Sequence, residues 1–338
     1  MSKFYSNLLI FTLFFALVVI VLGAYTRLAD AGLGCPDWPG CYGHLTVPES
    51  TEGTGFERPL EPAKAWAEMV HRYVAGILGV IILSIFLIAS FSREIRERQG
   101  AWLPFVLLCV VVMQALFGMW TVTKQLSPVY VTAHLIGGFT TLSLIWILLL
   151  RSKNRIKRPQ GGAMSVRRYN RFKGLRVWAG GALLLLIIQI VLGGWVSTNY
   201  AAIACGPMYP TCHGSLWPSA DFKEGFSLLV HLEEGRDYEY GILESPARTA
   251  IHMTHRMGAL VVLSVVGLLG LLLAFSNKAA FARKTAQIML LLLVGQFTLG
   301  ILNVVLALPI AIATAHNLVA ALLLLSLIAL NYKLSVHR

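Results

Sequence analysis

Four histidines occupy matching positions in two halves of a strongly apolar chain, and their placement could serve to bind a metal-containing cofactor. They are His71, His134, His255 and His316. Each lies near the start of an apolar stretch long enough to cross a bilayer. An imidazole inside a membrane costs free energy unless something binds it, so such a residue is a functional candidate by default. Because the pair recurs in register, the sequence predicts two similar cofactor sites.

An internal repeat surrounds these histidines. Four segments of the first half recur in the second, and the offsets at the two histidines are 184 and 182 residues. The matches are Leu22-Gly23 with Leu192-Gly193, Met69-Val70-His71-Arg72 with Met253-Thr254-His255-Arg256, Gln114-x-x-x-Gly118 with Gln296-x-x-x-Gly300, and Thr132-Ala133-His134 with Thr314-Ala315-His316. A register held over such a distance indicates a duplicated unit.

The elements that must position the histidines are apolar helices. Hydrophobic residues make up 57% of the chain, and the mean hydropathy is +0.69. We expect eight membrane-spanning segments, at 8–26, 68–91, 102–123, 128–151, 175–197, 250–275, 285–306 and 309–332. Each has about the 20 residues that a helix needs to cross the hydrocarbon. The sequence therefore predicts an all-α integral membrane protein.

The repeat divides the eight helices into two pseudo-symmetric four-helix bundles. We expect an N-terminal bundle at 1–151, a basic cytoplasmic linker at 152–174 and a C-terminal bundle at 175–338. An even number of spans keeps both halves in one orientation, which makes the repeat parallel. Glycines within the helices suit close helix contacts: Gly118, Gly137, Gly138 and Gly300.

The distribution of charge predicts the orientation. If the N-terminus is cytoplasmic, the inner segments hold 19 of the 28 Lys and Arg residues, as the positive-inside rule expects. The net charge of +12 then reflects topology and contact with anionic lipid rather than nucleic-acid binding. The first segment could mimic a cleaved signal peptide, but its counterpart at 175–197 favours a retained helix. A bacterial inner membrane, with both termini cytoplasmic, is the expected location.

Two imidazoles from the second and fourth helices of a four-helix bundle can bind haem iron from both faces. The competing interpretation is a set of ordinary hydrogen bonds between helices. A zinc or copper site fits less well, because such sites recruit three or four ligands and each half repeats only two. His44 and His213, in the outer loops, are weaker candidates.

One asymmetry distinguishes the two halves. Glu68 precedes His71 by three residues and shares its helical face, whereas His252 stands at the matching second-half position. Glu68 could compensate the helix dipole in a first turn, or act as a carboxylate beside one cofactor. Arg72 and Arg256 could bind carboxylates such as haem propionates or anchor to lipid headgroups.

Four cysteines lie in the outer loops: Cys35, Cys41, Cys205 and Cys212. On the oxidising side of a bacterial membrane, two local disulfides are the expected arrangement, with thiol exchange as the alternative. Cys109, in the third helix, is expected to be a packing residue. The outer loop at 198–249 is the longer of the two, and it carries no recognisable motif.

Taken together, these features resemble the haem A synthase family. The most specific are Glu68-Met69-Val70-His71-Arg72, the Cys35/Cys41 pair, and histidines on the second, fourth, sixth and eighth helices. The resemblance implies an oxidoreductase that oxidises a ring methyl of haem O to a formyl group, giving haem A for haem-copper oxidases. It implies haem O as substrate between His71 and His134, with Glu68 as the catalytic carboxylate. A permanent haem b would lie between His255 and His316 and pass electrons.

Two other classes of protein compete with this interpretation. A di-haem cytochrome b would keep the four histidines and move electrons without altering either haem, leaving Glu68 dispensable. A transporter built on a parallel repeat would place polar groups at mid-membrane, whereas here they cluster at the outer end. Expected partners are haem O, a haem O synthase that supplies it, the lipid bilayer and a second copy of the chain.

Overall fold

Long helices dominate the computed structural model, which describes residues 3–53, 55–153, 173–233, 235–276 and 280–336. The eight long helices are α1 (Lys3–Leu28), α2 (Pro62–Phe91), α4 (Trp102–Thr123), α5 (Pro128–Lys153), α6 (Lys173–Thr198), α8 (Ser245–Ala274), α9 (Ala280–Val305) and α10 (Ile310–Val336). Shorter elements are α3 (Arg93–Gln99), α7 (Phe222–Gly225) and a 3₁₀ turn, Leu229–His231.

All eight long helices have the length and apolar composition needed to cross a membrane. This confirms the number of spans expected from the sequence, and the chain is a multi-pass membrane protein. Many of their large apolar side chains, such as Phe14, Val80 and Leu291, are exposed on the surface of the protein. Such side chains suit a surface that faces lipid.

Two helices begin earlier than expected. α2 begins at Pro62 rather than residue 68, and α8 at Ser245 rather than residue 250. Both have a proline in the first two helical positions, where its fixed φ favours a helix start and its missing N–H costs nothing. These first turns are too polar to register as apolar segments. Arg72 and Arg256 therefore lie well inside their helices and not at the helix starts.

The long helices pack as two closed rings. In the first, α1 contacts α2, α2 contacts α4, α4 contacts α5, and α5 returns to α1; in the second, α6, α8, α9 and α10 do the same. α1 contacts α10, and α5 contacts both α6 and α10, which joins the rings. These contacts agree with two four-helix units, while their pseudo-symmetry and the domain boundaries stay predictions. The expected linker at 152–174 lies mostly outside the described residues.

One apolar core spans both rings at the end of the bundle that carries Lys3 and Val336. Representative fully buried members are Tyr5, Ile85, Leu142, Ala182 and Leu327. Large apolar side chains from all eight long helices interlock there and fix the relative positions of the helices.

The layer of the bundle nearer the outer loops is packed differently. Each of the eight long helices has a stretch there without a single fully buried residue: 17–25, 70–77, 108–121, 133–138, 187–193, 254–261, 294–303 and 314–320. Six or more consecutive residues cover every face of a helix, so the faces that point inward are accessible as well. All four repeated histidines lie within these stretches.

Candidate functional site

His71 and His134 face each other inside the first ring. Their ring centroids are 6.5 Å apart and their planes are nearly perpendicular, at 86°. An imidazole nitrogen lies about 2 Å from a metal that it binds, so rings on opposite sides of one metal atom have centroids roughly 6 Å apart. The separation therefore fits one metal atom between the two rings.

Each repeated histidine packs against a glycine of a neighbouring helix. A Cβ added at Gly23 would lie 2.8 Å from Cε1 of His71, and one at Gly118 would lie 3.4 Å from Cε1 of His134. The second ring repeats this arrangement: Gly193 lies against His255 at 3.1 Å and Gly300 against His316 at 3.2 Å. Gly118 and Gly300, expected at helix contacts, thus make room for imidazole rings.

Three glutamines contact the histidines. In the second ring of helices they reach imidazole nitrogens, and in the first the glutamine reaches only a backbone oxygen. Gln189 Nε2 lies 3.0 Å from Nδ1 of His255 and 2.9 Å from its carbonyl oxygen. Gln296 Nε2 lies 3.0 Å from Nε2 of His316. Gln114 Nε2 instead donates to the carbonyl oxygen of His134, at 2.9 Å.

In the first ring, Nδ1 of both His71 and His134 is buried without a hydrogen-bond partner among the described residues. Sequence reasoning missed Gln189, although an amide four residues before Gly193 in an apolar helix was an available signal. The corresponding residue in the first half is Val19.

Glu68 is a buried carboxylate, 4% exposed. Its Oε1 accepts a hydrogen bond from Arg72 Nη2 at 2.5 Å, and its Oε2 accepts the backbone N–H of Cys35 at 2.9 Å. The first turn of α2 contains no acidic residue. Because the helix begins at Pro62, Glu68 lies beyond that turn, and its expected alternative role in dipole compensation is wrong.

His252 takes the place of Glu68 in the second ring. Its Nε2 accepts from Arg256 Nε at 2.7 Å, and its Nδ1 lies 2.7 Å from the carbonyl oxygen of Ala201. A guanidinium can only donate, so Nε2 carries no proton and Nδ1 donates to the carbonyl. The imidazole of His252 is thus neutral. Of the two rings of helices, the first alone has a buried acid at this position.

Arg72 and Arg256 hold the cysteine loops in the same way. Arg72 Nη1 donates to the carbonyl oxygens of Gly40, at 2.5 Å, and Pro39, at 3.2 Å. Arg256 Nη1 donates to the corresponding oxygens of Thr211, at 3.1 Å, and Pro210, at 3.4 Å. Each loop is therefore attached to the helix that carries the first histidine of its half.

Both expected disulfides are present. Cys35 pairs with Cys41 and Cys205 with Cys212, with Cα–Cα distances of 4.8 and 4.5 Å. Each loop has a cis X–Pro bond, at Trp38–Pro39 and Tyr209–Pro210. The loop histidines, His44 and His213, are exposed. Cys109 is also exposed, on α4, so its expected packing role is wrong.

The long second outer loop reaches across to the first ring. Ser127 Oγ donates to the carbonyl oxygen of His231 at 2.5 Å, and Tyr238 N donates to the carbonyl oxygen of Gln125 at 3.1 Å. Glu239 forms an ion pair with Arg58. The described residues 229–233 and 235–240, which we call the crossing segment, thus join the loop ends of both rings of helices.

The side chain of His231 anchors the crossing segment. It is fully buried, with its ring centroid 5.1 Å from that of Trp195 and 6.1 Å from that of Tyr238. Neither ring nitrogen has a hydrogen-bond partner within the described part of the chain. Burial therefore lowers the pKa of His231 to about 4, with a smaller contribution from the positive charge of Arg236.

The sequence of the chain matches a family of known proteins. The chain matches the family model COX15-CtaA, cytochrome oxidase assembly protein, over residues 6–328. It is 42% identical over 332 residues to a haem A synthase of Shewanella oneidensis, covering 96% of this chain and 95% of that protein. A haem A synthase of Wolbachia pipientis is 26% identical, covering 91% and 86%. One of Alkalihalophilus pseudofirmus is 24% identical, covering 91% and 89%. The chain belongs to the COX15-CtaA family of cytochrome oxidase assembly proteins.

Proposed function

We propose that this protein is a haem A synthase, an oxidoreductase that converts haem O to haem A by oxidising a ring methyl group to a formyl group. One observation carries the proposal: two histidine pairs lie in an accessible layer of the bundle, and a buried acid accompanies only one of them. The curated relatives that the chain resembles along most of its length have this name.

The first ring is the proposed substrate site, with haem O held between His71 and His134. The 6.5 Å between the centroids of the two imidazoles suits one iron atom, and Gly23 and Gly118 leave room for these side chains. Glu68 is the proposed catalytic carboxylate. Its ion pair with Arg72 favours the charged form, which can accept a proton from the reacting group or stabilise a positive charge that develops there.

The second ring is the proposed site of a permanent haem b, held by His255 and His316. Its residues fit such a group: two imidazoles lie over glycines, and the amide oxygens of Gln189 and Gln296 are buried without a hydrogen-bond donor in the described ranges. A haem bound there supplies electron uptake. Arg72 and Arg256 are proposed propionate contacts, because each guanidinium has five N–H groups, one more than the acceptors around it.

The proposed setting is a bacterial inner membrane with both termini in the cytoplasm. This orientation places the histidine layer and both disulfides near the outer surface, where disulfides persist. A haem O synthase is the proposed supplier of the substrate, and association with a second copy of the chain is proposed as well.

The experiment is to express wild-type protein and Glu68→Gln in cells that make haem O, extract the haems and separate them by chromatography. We expect haem A only from the wild type, with both proteins retaining bound haem. Glu61→Gln is the matched control, because Glu61 is an exposed acid at the start of the same helix. Normal haem A from Glu68→Gln would refute the role of Glu68. If the wild type binds haem and makes no haem A, the protein is instead a di-haem cytochrome.

A further inference from the structure

We infer that Gln189 is a positioning residue that makes the haem of the second site permanent, by holding the imidazole of His255 through Nδ1. This inference rests on the proposed function, which assigns a resident haem to the second ring and a substrate haem to the first. It explains how two similar histidine pairs can serve one haem that stays and another that leaves.

The contact lies at Nδ1, the ring nitrogen that stays free when Nε2 binds a metal. Gln189, on α6, places its amide 3.0 Å from Nδ1 of His255, on α8. When Nε2 of an imidazole binds a metal, the proton stays on Nδ1 and needs an acceptor. A half-turn of the Gln189 amide exchanges its oxygen and nitrogen, so Oε1 can accept that proton, and the hydrogen bond from Nε2 to the carbonyl oxygen of His255 is given up in exchange. Oε1 is buried without a donor among the described residues, and this contact would satisfy it.

Gly258 makes room for this amide. It follows His255 by three residues on α8, and a Cβ added there would overlap Oε1 of Gln189. At the corresponding first-half positions, Val19 stands in place of Gln189 and Val74 in place of Gly258. The first half has its own glutamine–glycine pair, Gln114 and Gly137, at His134, but that amide donates to the carbonyl oxygen of His134 and reaches neither ring nitrogen. Nδ1 of His71 is accordingly buried without a partner within the described ranges.

This difference matters for how long a haem stays. A hydrogen bond to the outer nitrogen fixes the tautomer and orientation of a ligating histidine and raises its basicity, and losing such a partner typically costs 10- to 100-fold in metal affinity. His255 is held through Nδ1 before the haem arrives, whereas Nδ1 of His71 has no partner within the described ranges to hold it. The second site therefore retains its haem through turnover while the first releases its product.

The test uses purified holoprotein and three variants. Gln189→Val reproduces the first-half residue, Gly258→Ala displaces the amide without changing it, and Gly181→Ala is the control, since a Cβ there meets nothing within 4 Å. Haem b loss is followed by transfer to excess apomyoglobin. We expect about 10-fold faster loss from the first two variants and wild-type loss from the control. The Gln189→Val/Gly258→Ala double variant should lose haem no faster than either single variant, because both remove one contact.

A reduction potential separates positioning from general loosening of the fold. Removing the acceptor makes His255 less basic, which disfavours ferric iron, so Gln189→Val should shift the second-site potential to more positive values. Gln189→Glu offers a stronger acceptor and should shift it to more negative values. Shifts of the same sign in both variants, or unchanged haem loss in Gln189→Val, would overturn the inference. If the wild-type protein makes no haem A but the two variants still shift the potential in opposite directions, only the proposed function is contradicted.

Discussion

Arg58 of the first outer loop forms an ion pair with Glu239 of the second, across 181 residues of sequence. Glu239 is nearly buried, with a side chain 8% exposed, and Arg58 is 31% exposed. Because Glu239 belongs to the crossing segment, this pair and the backbone contacts beside it join the outer surfaces of the two rings of helices.

Two charges interact more strongly in a partly buried ion pair than in an exposed one, because water screens them less, so the Arg58–Glu239 pair should show a measurable coupling free energy. In a double-mutant cycle with Arg58→Met and Glu239→Gln, we expect a coupling free energy of about 1 kcal/mol or more. Thermal unfolding in detergent measures it. The control cycle is Arg236–Glu233, an exposed pair in the same loop, with an expected coupling of roughly 0.3 kcal/mol. Equal coupling in both cycles would show that burial is irrelevant here.

The contact between Gly23 and His71 should be essential for haem in the first site. Gly23→Ala places a methyl group 2.8 Å from Cε1 of His71, which forces the imidazole out of line with His134. We expect at least about a 10-fold loss of haem O affinity, in line with an overpacking cost of about 1–3 kcal/mol. Titration with haem O, followed by absorption, measures it. Gly180→Ala, where a Cβ meets nothing within 4 Å, should bind as the wild type does. Equal affinity in both variants would contradict the prediction.

The Cys35–Cys41 disulfide should support haem A formation by stabilising the fold. The bond closes a short loop, with a sequence separation of 6 residues, so its loss should cost about 2 kcal/mol. In Cys35→Ser/Cys41→Ser, we expect a lower unfolding temperature and haem A formation that recovers at reduced temperature. Activity that stays absent while the unfolding temperature is unchanged would point to thiol exchange instead.

Acid should loosen the crossing segment through His231. Its pKa of about 4 in the folded chain lies below the usual value near 6.5, because burial disfavours the charged ring. Protonation therefore favours the open segment, and stability present above pH 6.5 is lost as the pH falls from 6.5 towards 4.

Hydrogen exchange of residues 229–240 measures this loosening. We expect faster exchange at pH 5 than at pH 7, after correction for the intrinsic rates. His231→Phe keeps an aromatic ring between Trp195 and Tyr238 and should remove most of the difference. A difference of the same size in His231→Phe would assign it to other groups.

Local patterns explain which features the sequence could predict. Hydropathy indicated all eight spans, because a helix in lipid must satisfy its own backbone hydrogen bonds. The repeat identified the two histidine pairs, and the spacing of Cys35, Cys41, Cys205 and Cys212 together with the oxidising compartment suggested both disulfides.

Features that depend on residues far apart in the chain could not be predicted from the sequence. The attachment of Glu68 to Cys35 requires the folded loop, and the contact of Gln189 with His255 joins residues 66 positions apart. The crossing segment carries no recognisable motif, and its contacts with the first half are one bond from the Ser127 hydroxyl, one backbone bond to Gln125 and the ion pair with Arg58. The polar first turns of α2 and α8 hid the true helix starts, and with them the position of Glu68 beyond the first turn.

The exchange of Glu68 for His252 also gives the molecule an electrical polarity in the plane of the membrane. Arg72 is neutralised by its carboxylate partner, whereas Arg256 faces a neutral imidazole and keeps its charge unbalanced. Summed over these residues, the second ring of helices carries one positive elementary charge more than the first. A fixed cation lowers the energy of an electron placed near it, so under the proposed assignment of one haem to each ring of helices, the exchange would favour electron flow from the first ring to the second.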